Sequence, residues 1–243
     1  MQKTNLWHLF RVLRYQIVII LALLLSISAS AQFDFSKSEQ YKNRPYYFGI
    51  TLGYNQAFFK MDYDPSFVQT DTILSIVPLH SSGFSLGLLG NLKVVNHLDL
   101  RFNPTLNFTE KNLGYTFKEN APDREDKQIE SIIMTLPLQV KLKSDRVKNF
   151  RAYLLGGVKY DYDLASNASS RQADDIVKLA RDDLGFEAGF GFEFYLPYFI
   201  FSPEIKFSYG ARDVHVYEPQ NQYSNQIGRL ISRMIVFSIH LEG

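Results

Sequence analysis

The chain contains no cysteine, which excludes disulfides and thiolate metal sites and leaves the redox compartment open. It has almost no net charge: 26 Lys and Arg stand against 25 Asp and Glu, a balance of +1. No stretch is dominated by Lys and Arg, so nothing in the sequence points to a nucleic-acid partner. Tryptophan occurs once, at Trp7. Beyond residue 32 there is no apolar run of helix-spanning length, and the mean hydropathy of −0.14 is too polar for a helical membrane protein. A membrane-embedded mature chain must then be a closed barrel, because only helices and closed barrels satisfy every backbone group in hydrocarbon. The usual chemical signatures are missing too. No H-x-x-x-H metal spacing, no D-x-D-x-D-G calcium loop and no glycine-rich phosphate loop occurs.

What is abundant is aromatic: 20 Phe and 15 Tyr, 15% of the chain with Trp7 included. Strands and membrane interfaces both favour these residues. The length of 243 residues suits one up-and-down β domain or two small ones. The N-terminus reads as a signal peptide over residues 1–31. Lys3, Arg11 and Arg14 precede an apolar run from Ile17 to Leu25, and Ala29-Ser30-Ala31 fits a signal-peptidase site, giving a mature start near Gln32. An uncleaved anchor is the alternative, but the run is shorter than the roughly 20 residues a spanning helix needs. Residues 32–45 form a short leading segment, and residues 46–243 are the barrel candidate.

That region alternates apolar and polar residues with period two in eight segments. They are Tyr46–Phe58, Gly83–Lys93, Leu98–Phe108, Glu130–Leu142, Phe150–Tyr162, Leu184–Phe194, Phe201–Tyr209 and Ile231–Leu241. The eighth, with Met234 and Val236 among its inner positions, has the weakest polar face. The connections alternate long and short. Short turns lie near Val94–His97, Ser144–Asn149 and Pro197–Tyr198, and long loops near 62–81, 109–127, 164–181 and 212–230. Outer-membrane barrels have short periplasmic turns, long external loops and an even strand count. The expected fold is therefore all-β: an eight-stranded antiparallel up-and-down transmembrane β-barrel, with both termini periplasmic and outer-membrane lipid around it.

One face of the segments is nearly pure Leu, Ile, Val and Phe. The other carries Lys93, Asp99, Arg101, Lys141, Arg151, Lys159, Asp161, Glu187, Glu193, Glu204 and Lys206. The charged face is also rich in glycine, which suits a narrow lumen filled by long side chains. Balanced charge predicts ion pairs and a plugged barrel in place of a pore. Period two does not itself say which face is inside, so a soluble lipocalin-like barrel with a dry apolar interior stays open as the inverse arrangement.

No catalytic, cofactor-binding or metal site emerges. His8 leaves with the signal peptide, His80 and His215 fall in external loops, and His97 falls in a turn. Ser238 and His240 share a face two residues apart, the fragment of a hydrolase pair. At ~7 Å by strand rise they are too far apart for the hydrogen bond a nucleophile needs. Glu187 and Glu193 share a face but read as ion-pair partners. Asp174-Asp175 and Asp182-Asp183 read as solvated loop. A lipid-modifying barrel enzyme remains an alternative function, and no small-molecule substrate is expected.

Several stretches resemble the PorT family, called SprT in gliding bacteria. Phe48-Gly-Ile-Thr-Leu-Gly-Tyr-Asn55 is similar to its opening strand, and Asp99-Leu-Arg-Phe-Asn-Pro-Thr-Leu-Asn-Phe108 also resembles the family. So do Phe150–Tyr160 with Asp163–Ser166, Phe186 through Gly-Phe-Gly-Phe192 to Phe199, Ser202–Lys206, Tyr223–Asn225 and Arg229-Leu230. The resemblance covers roughly residues 45–242. It implies a non-catalytic outer-membrane component of the type IX secretion system of Bacteroidota, with other components of that system as partners. Its cargo carries C-terminal signal domains and includes proteases, adhesins and gliding proteins. The family transfers no functional residues. The ending Leu241-Glu242-Gly243 departs from the terminal aromatic of many outer-membrane barrels.

Overall fold

The computed structural model describes residues 44–63, 73–117, 124–165, 179–216 and 227–243. The expected signal peptide, and the leading segment apart from residues 44 and 45, lie outside the described residues. Among the described residues there are ten strands: β1 (Tyr46–Tyr63), β2 (Ile73–Leu79), β3 (Ser81–Val95), β4 (Leu98–Phe102), β5 (Thr105–Phe117), β6 (Arg124–Lys143), β7 (Phe150–Asp163), β8 (Asp182–Tyr195), β9 (Ile200–Gly210) and β10 (Ile227–Glu242).

The ten strands make eight staves. β4 and β5 are one stave interrupted at Asn103-Pro104. Gly90 pairs with Phe102 and Gly87 with Thr105, so the alignment continues unbroken. Proline lacks the N–H a ladder needs, yet the Pro104 carbonyl still accepts from Leu88 N at 3.0 Å. β2 and β3 form another stave, slipped by one residue at His80: Leu79 pairs with Asn112, but Phe84 pairs with Phe108. All pairings are antiparallel between neighbours. β1 pairs with β3 on one side and with β10 on the other, so the ring of ladders has no free stave.

The turns fall where expected, at Asn96-His97, Ser144–Asn149 and Leu196–Phe199. In the second, Lys148 takes the left-handed conformation at φ 56°. All three lie at the end where the chain enters β1 and leaves β10, shown by Gly243 N donating to Phe48 O at 2.8 Å.

Two of the expected long loops are largely strand. β1 runs to Tyr63, β2 occupies 73–79, β5 continues to Phe117 and β6 begins at Arg124. β10 likewise starts at Ile227, inside the fourth expected loop. The reason is physical. Beyond the lipid belt the outward face of a strand meets water, so the ladder continues while the outward apolar run stops. Outward Glu110 and Asn112, on either side of buried Lys111, show the change on β5.

The face question is settled by burial. Asp99, Arg101, Lys141, Glu193 and His240 are fully buried, while Phe48, Leu88, Leu154 and Phe186 are more than 60% exposed. The apolar face points outward and the charged face inward, the inverse of the lipocalin-like arrangement. On β1 the outward apolar run extends from Tyr46 to Tyr54 and then gives way to Gln56, Lys60 and Asp62. Nine residues are what a tilted strand needs to cross hydrocarbon, about 9–11. Aromatic residues mark both ends, with Phe84 and Phe108 stacked at 4.5 Å near the upper margin.

This belt predicts a depth-dependent penalty. Ile50→Arg at its middle lowers folding stability in lipid vesicles by about 2–4 kcal/mol, and Phe58→Arg above it by about 0–1 kcal/mol. Urea titration in vesicles checks both, and equal costs would refute the belt.

Candidate functional site

Charged and polar side chains concentrate in the interior, where alternation aims every second residue of each stave. Among the described residues the lumen buries six bases and seven acids. Burying an unpaired charge is costly, so each must find a partner inside.

Nearest the short turns, Tyr47 donates to Asp99 Oδ2 at 2.6 Å, and Lys143 reaches the same oxygen. Above them lies the densest group. Arg101 on β4 donates Nη1 to Glu204 Oε2 on β9 at 2.6 Å, crossing to the opposite wall. Its Nε donates to Asn91 at 2.9 Å, and its Nη2 approaches Glu242 at 3.5 Å. Tyr153 also donates to Glu204 at 2.8 Å. Lys141 pairs with Glu193, which accepts from Tyr195 at 2.6 Å. The Lys141 ammonium lies 4.0 Å from the Tyr153 ring centre, close enough for a cation–π contact. Glu242, at the atypical C-terminal end, is completely buried here and also accepts from Asn91 at 3.1 Å.

The middle of the lumen is held by a relay of short side chains. Asn55 donates to Ser85, Ser85 to Asn107, Asn107 to Thr135 and Thr135 to Asp161, at 2.7–2.9 Å. Glu187 pairs with Lys206 at 3.1 Å and accepts from Gln139. Asp161 pairs with Lys159.

Higher still, apolar side chains join Lys111, Asp183 and Ser232 in the interior. Ala57, Ile133, Met234 and Val236 form a buried cluster, which accounts for the weak polar face of the eighth segment. Leu179 and Val214, from the ends of the two loops, are buried over it, tied by Ala180 N donating to Val214 O at 2.8 Å. Among the described residues a void of about 20 Å³ lies beside Thr51 and Ser238, and one of about 30 Å³ beside Lys111 and Asp183. Each has room for about one water.

Ser238 and His240 are closer than strand rise implies: Ser238 Oγ lies 3.3 Å from His240 Nε2. The Cα separation is long, but side chains on one face lean together and the imidazole spans the gap. His240 Nδ1 also meets Thr51 Oγ1 at 2.9 Å, and Nε2 meets Glu204 at 3.3 Å. Hydroxyl, imidazole and carboxylate are thus brought together. Thr51, however, already donates to Asn103 Oδ1 at 3.0 Å, and His240 is completely buried. The set ties β1, β9 and β10 to one another and leaves a substrate no approach.

Glu187 and Glu193 take the ion-pair role expected of them. Lys93 and Arg151 are only half-buried at the mouth. Lys111, Lys143 and Glu242 are buried charges that the sequence reading omitted, and Asp182 and Asp183, expected in solvated loop, instead open β8 with Asp183 buried in the lumen. Lys143 and Glu242 merely continue the inner phase of Lys141 and His240, so parity carried to the strand ends finds them. Tyr47, Tyr153 and Tyr195 also share the inner phase of Thr51, Lys159 and Glu193, but tyrosine suits either face and the sequence reading passed over them. Gly191 explains Tyr153: a Cβ there would sit 2.5 Å from its hydroxyl. At Gly189 the crowding atom is a backbone carbonyl of β9, so close strand approach is the reason there.

At the short-turn rim, His97 Nε2 and Asp145 Oδ1 meet at 2.9 Å and clasp two turns. The hydrogen bond from His97 holds the Asp145 carboxyl below its usual range. His97→Gln should raise the Asp145 pKa toward about 3.9, read by NMR titration. The clasp contributes above that ordinary value and is lost as pH falls through the lowered one, because only the carboxylate accepts the bond.

The buried pairs give a sharper test. Arg101→Met removes the cation nearest to Glu204 and Glu242 and should cost about 3–5 kcal/mol in urea unfolding. Arg101→Met with Glu204→Gln should cost less than the single change. A double variant no better than the single one would show that the pairing is not what matters.

Among solved structures, the chain resembles Neisserial surface protein A (11% identity, TM-score 0.43, covering 80% of this chain and 96% of that one). It also resembles OprG of Pseudomonas aeruginosa (16%, 0.41, 80% and 93%) and Ail, the attachment invasion locus protein of Yersinia pestis (13%, 0.38, 82% and 100%). No curated protein matches. The family model described as outer membrane protein beta-barrel domain matches residues 30–216, so the chain belongs to this family and is an outer-membrane β-barrel protein.

Proposed function

We propose that this barrel is a non-catalytic outer-membrane component of the type IX protein secretion system, with both termini and the short turns on the periplasmic side. The observation that carries the reading is the resemblance to the PorT family along most of residues 45–242, in the strand segments quoted above. A lumen crossed by ion pairs and packed with buried side chains supports it. Such a barrel has little room to conduct solutes, and its contribution to export is made through its surfaces. Its partners are other components of the secretion machine, and the proteins depending on it carry C-terminal signal domains.

The test is a deletion strain. The protein should fractionate with outer-membrane vesicles and show heat-modifiable gel mobility. Deletion should trap C-terminal-signal cargo inside the cell, and complementation should restore export. Normal export in the deletion strain would overturn the secretion reading and leave the fold untouched. Loss of lipid-modifying activity in that strain would favour the enzyme alternative.

A further inference from the structure

The outer wall is not uniformly convex. Where β6, β7 and β8 run side by side near the short turns, a pit of about 430 Å³ is framed by Leu142, Ser144, Ala152, Leu154, Phe190 and Phe192. The pit exists because Ala152 is small where its neighbours are large. In the ladders Ala152 lies opposite Phe192, and Leu154 lies opposite Leu142 and Phe190. Phe150 stacks on Phe192 at 5.4 Å and stiffens one side. Its volume falls within the range of small-ligand sites, about 300–1,000 Å³. Its upper part is apolar and belongs to the belt that hydrocarbon covers.

Its lower end is polar. Ser144 opens the turn 144–149, and its hydroxyl accepts from Ala152 N at 3.1 Å. Below the pit that turn carries an exposed Lys148, while Arg146 is engaged 4.1 Å over the Tyr195 ring and the turn's one acid, Asp145, is taken up by His97. Cations placed at the depth of lipid headgroups attract acidic lipids.

We propose that this pit seats one acyl chain of an acidic phospholipid from the leaflet on the short-turn side, with the headgroup phosphate at the 144–149 turn. The inference rests on the outer-membrane placement of the barrel and not on the secretion reading.

The barrel contains no tryptophan, since the chain's one Trp is Trp7, so a reporter is easily placed. Phe192→Trp puts it in the pit, and Phe48→Trp puts a control on the opposite wall. Both barrels are reconstituted in vesicles of phosphatidylcholine with a minor share of bromine-labelled phosphatidylglycerol or bromine-labelled phosphatidylcholine. At position 192 the acidic lipid should quench more strongly than the neutral one; at position 48 the two should quench alike. Lys148→Gln should weaken the preference about fivefold, the effect of one lipid-facing cation. Ala152→Leu, which fills the pit without touching the lumen, should abolish the excess quenching. Equal quenching at both positions would overturn the proposal. So would a headgroup preference that survives Ala152→Leu, or an indole at position 192 shielded from every labelled lipid while the barrels cross-link as pairs.

Discussion

Everything in this molecule depends on cancelling charge in a place water barely reaches. A chain that crosses hydrocarbon as strands must close its ladder, since an open edge leaves backbone donors and acceptors unpaired in lipid. Closing eight staves fixes a lumen about as wide as two opposed side chains. Alternation then sends half of each strand into that space. Because the outward half is committed to lipid, the inward half is free to be polar, and once polar it must be paired. Arg101 is the clearest case: a guanidinium with no exposure, answered by carboxylates from β9 and β10 and an amide from β3. Each of those partners sits on a different stave, so the same contacts that neutralise the cation also fix how the staves stand relative to one another.

This explains how much could be read from the sequence. Period two, applied to segments such as Leu98–Phe108, is a direct record of a wall with lipid on one side and a polar lumen on the other. The eight staves and three turns follow from it almost residue by residue. What failed to register lies where that environment stops. Above Tyr54 on β1 and Phe108 on β5 the outward face is wet while Ala57, Phe59 and Lys111 lie inside, so the apolar-out alternation is lost and strand was read as loop. The choice between an outward and an inward apolar face was likewise absent from periodicity alone. It needed loop lengths, glycine positions and, in the end, burial.

The interior was legible as composition but not as pairing. Balanced charge implies ion pairs, yet nothing in the spacing of Arg101, Glu204 and Glu242 links β4 to β9 and β10. Those partners are set by stave order and stagger, properties of the closed ring. The Ser238–His240 distance shows the same limit at small scale. Strand rise separates the two Cα atoms, but the length and lean of the side chains decide whether they meet. Tyr153 shows it at larger scale: its inner phase follows from Lys159 and Asp161, but the room for its ring is a missing Cβ at Gly191 on the neighbouring stave, which its own segment does not record.

The lumen also mixes its chemistries along its length. Charged side chains run from Asp99 and Lys143 near the short turns to Lys111 and Asp183 near the loops, and Ala57, Ile133, Met234 and Val236 make one apolar patch among them. An apolar patch in a narrow bore resists wetting, and a dry neighbour makes each buried charge beside it harder to leave unpaired. The two therefore reinforce one another: the ion pairs hold the staves at the spacing that lets the patch pack, and the patch keeps out water that would loosen the pairs. A filled bore leaves the outer wall, the turns and the loops as the surfaces through which this protein meets anything else.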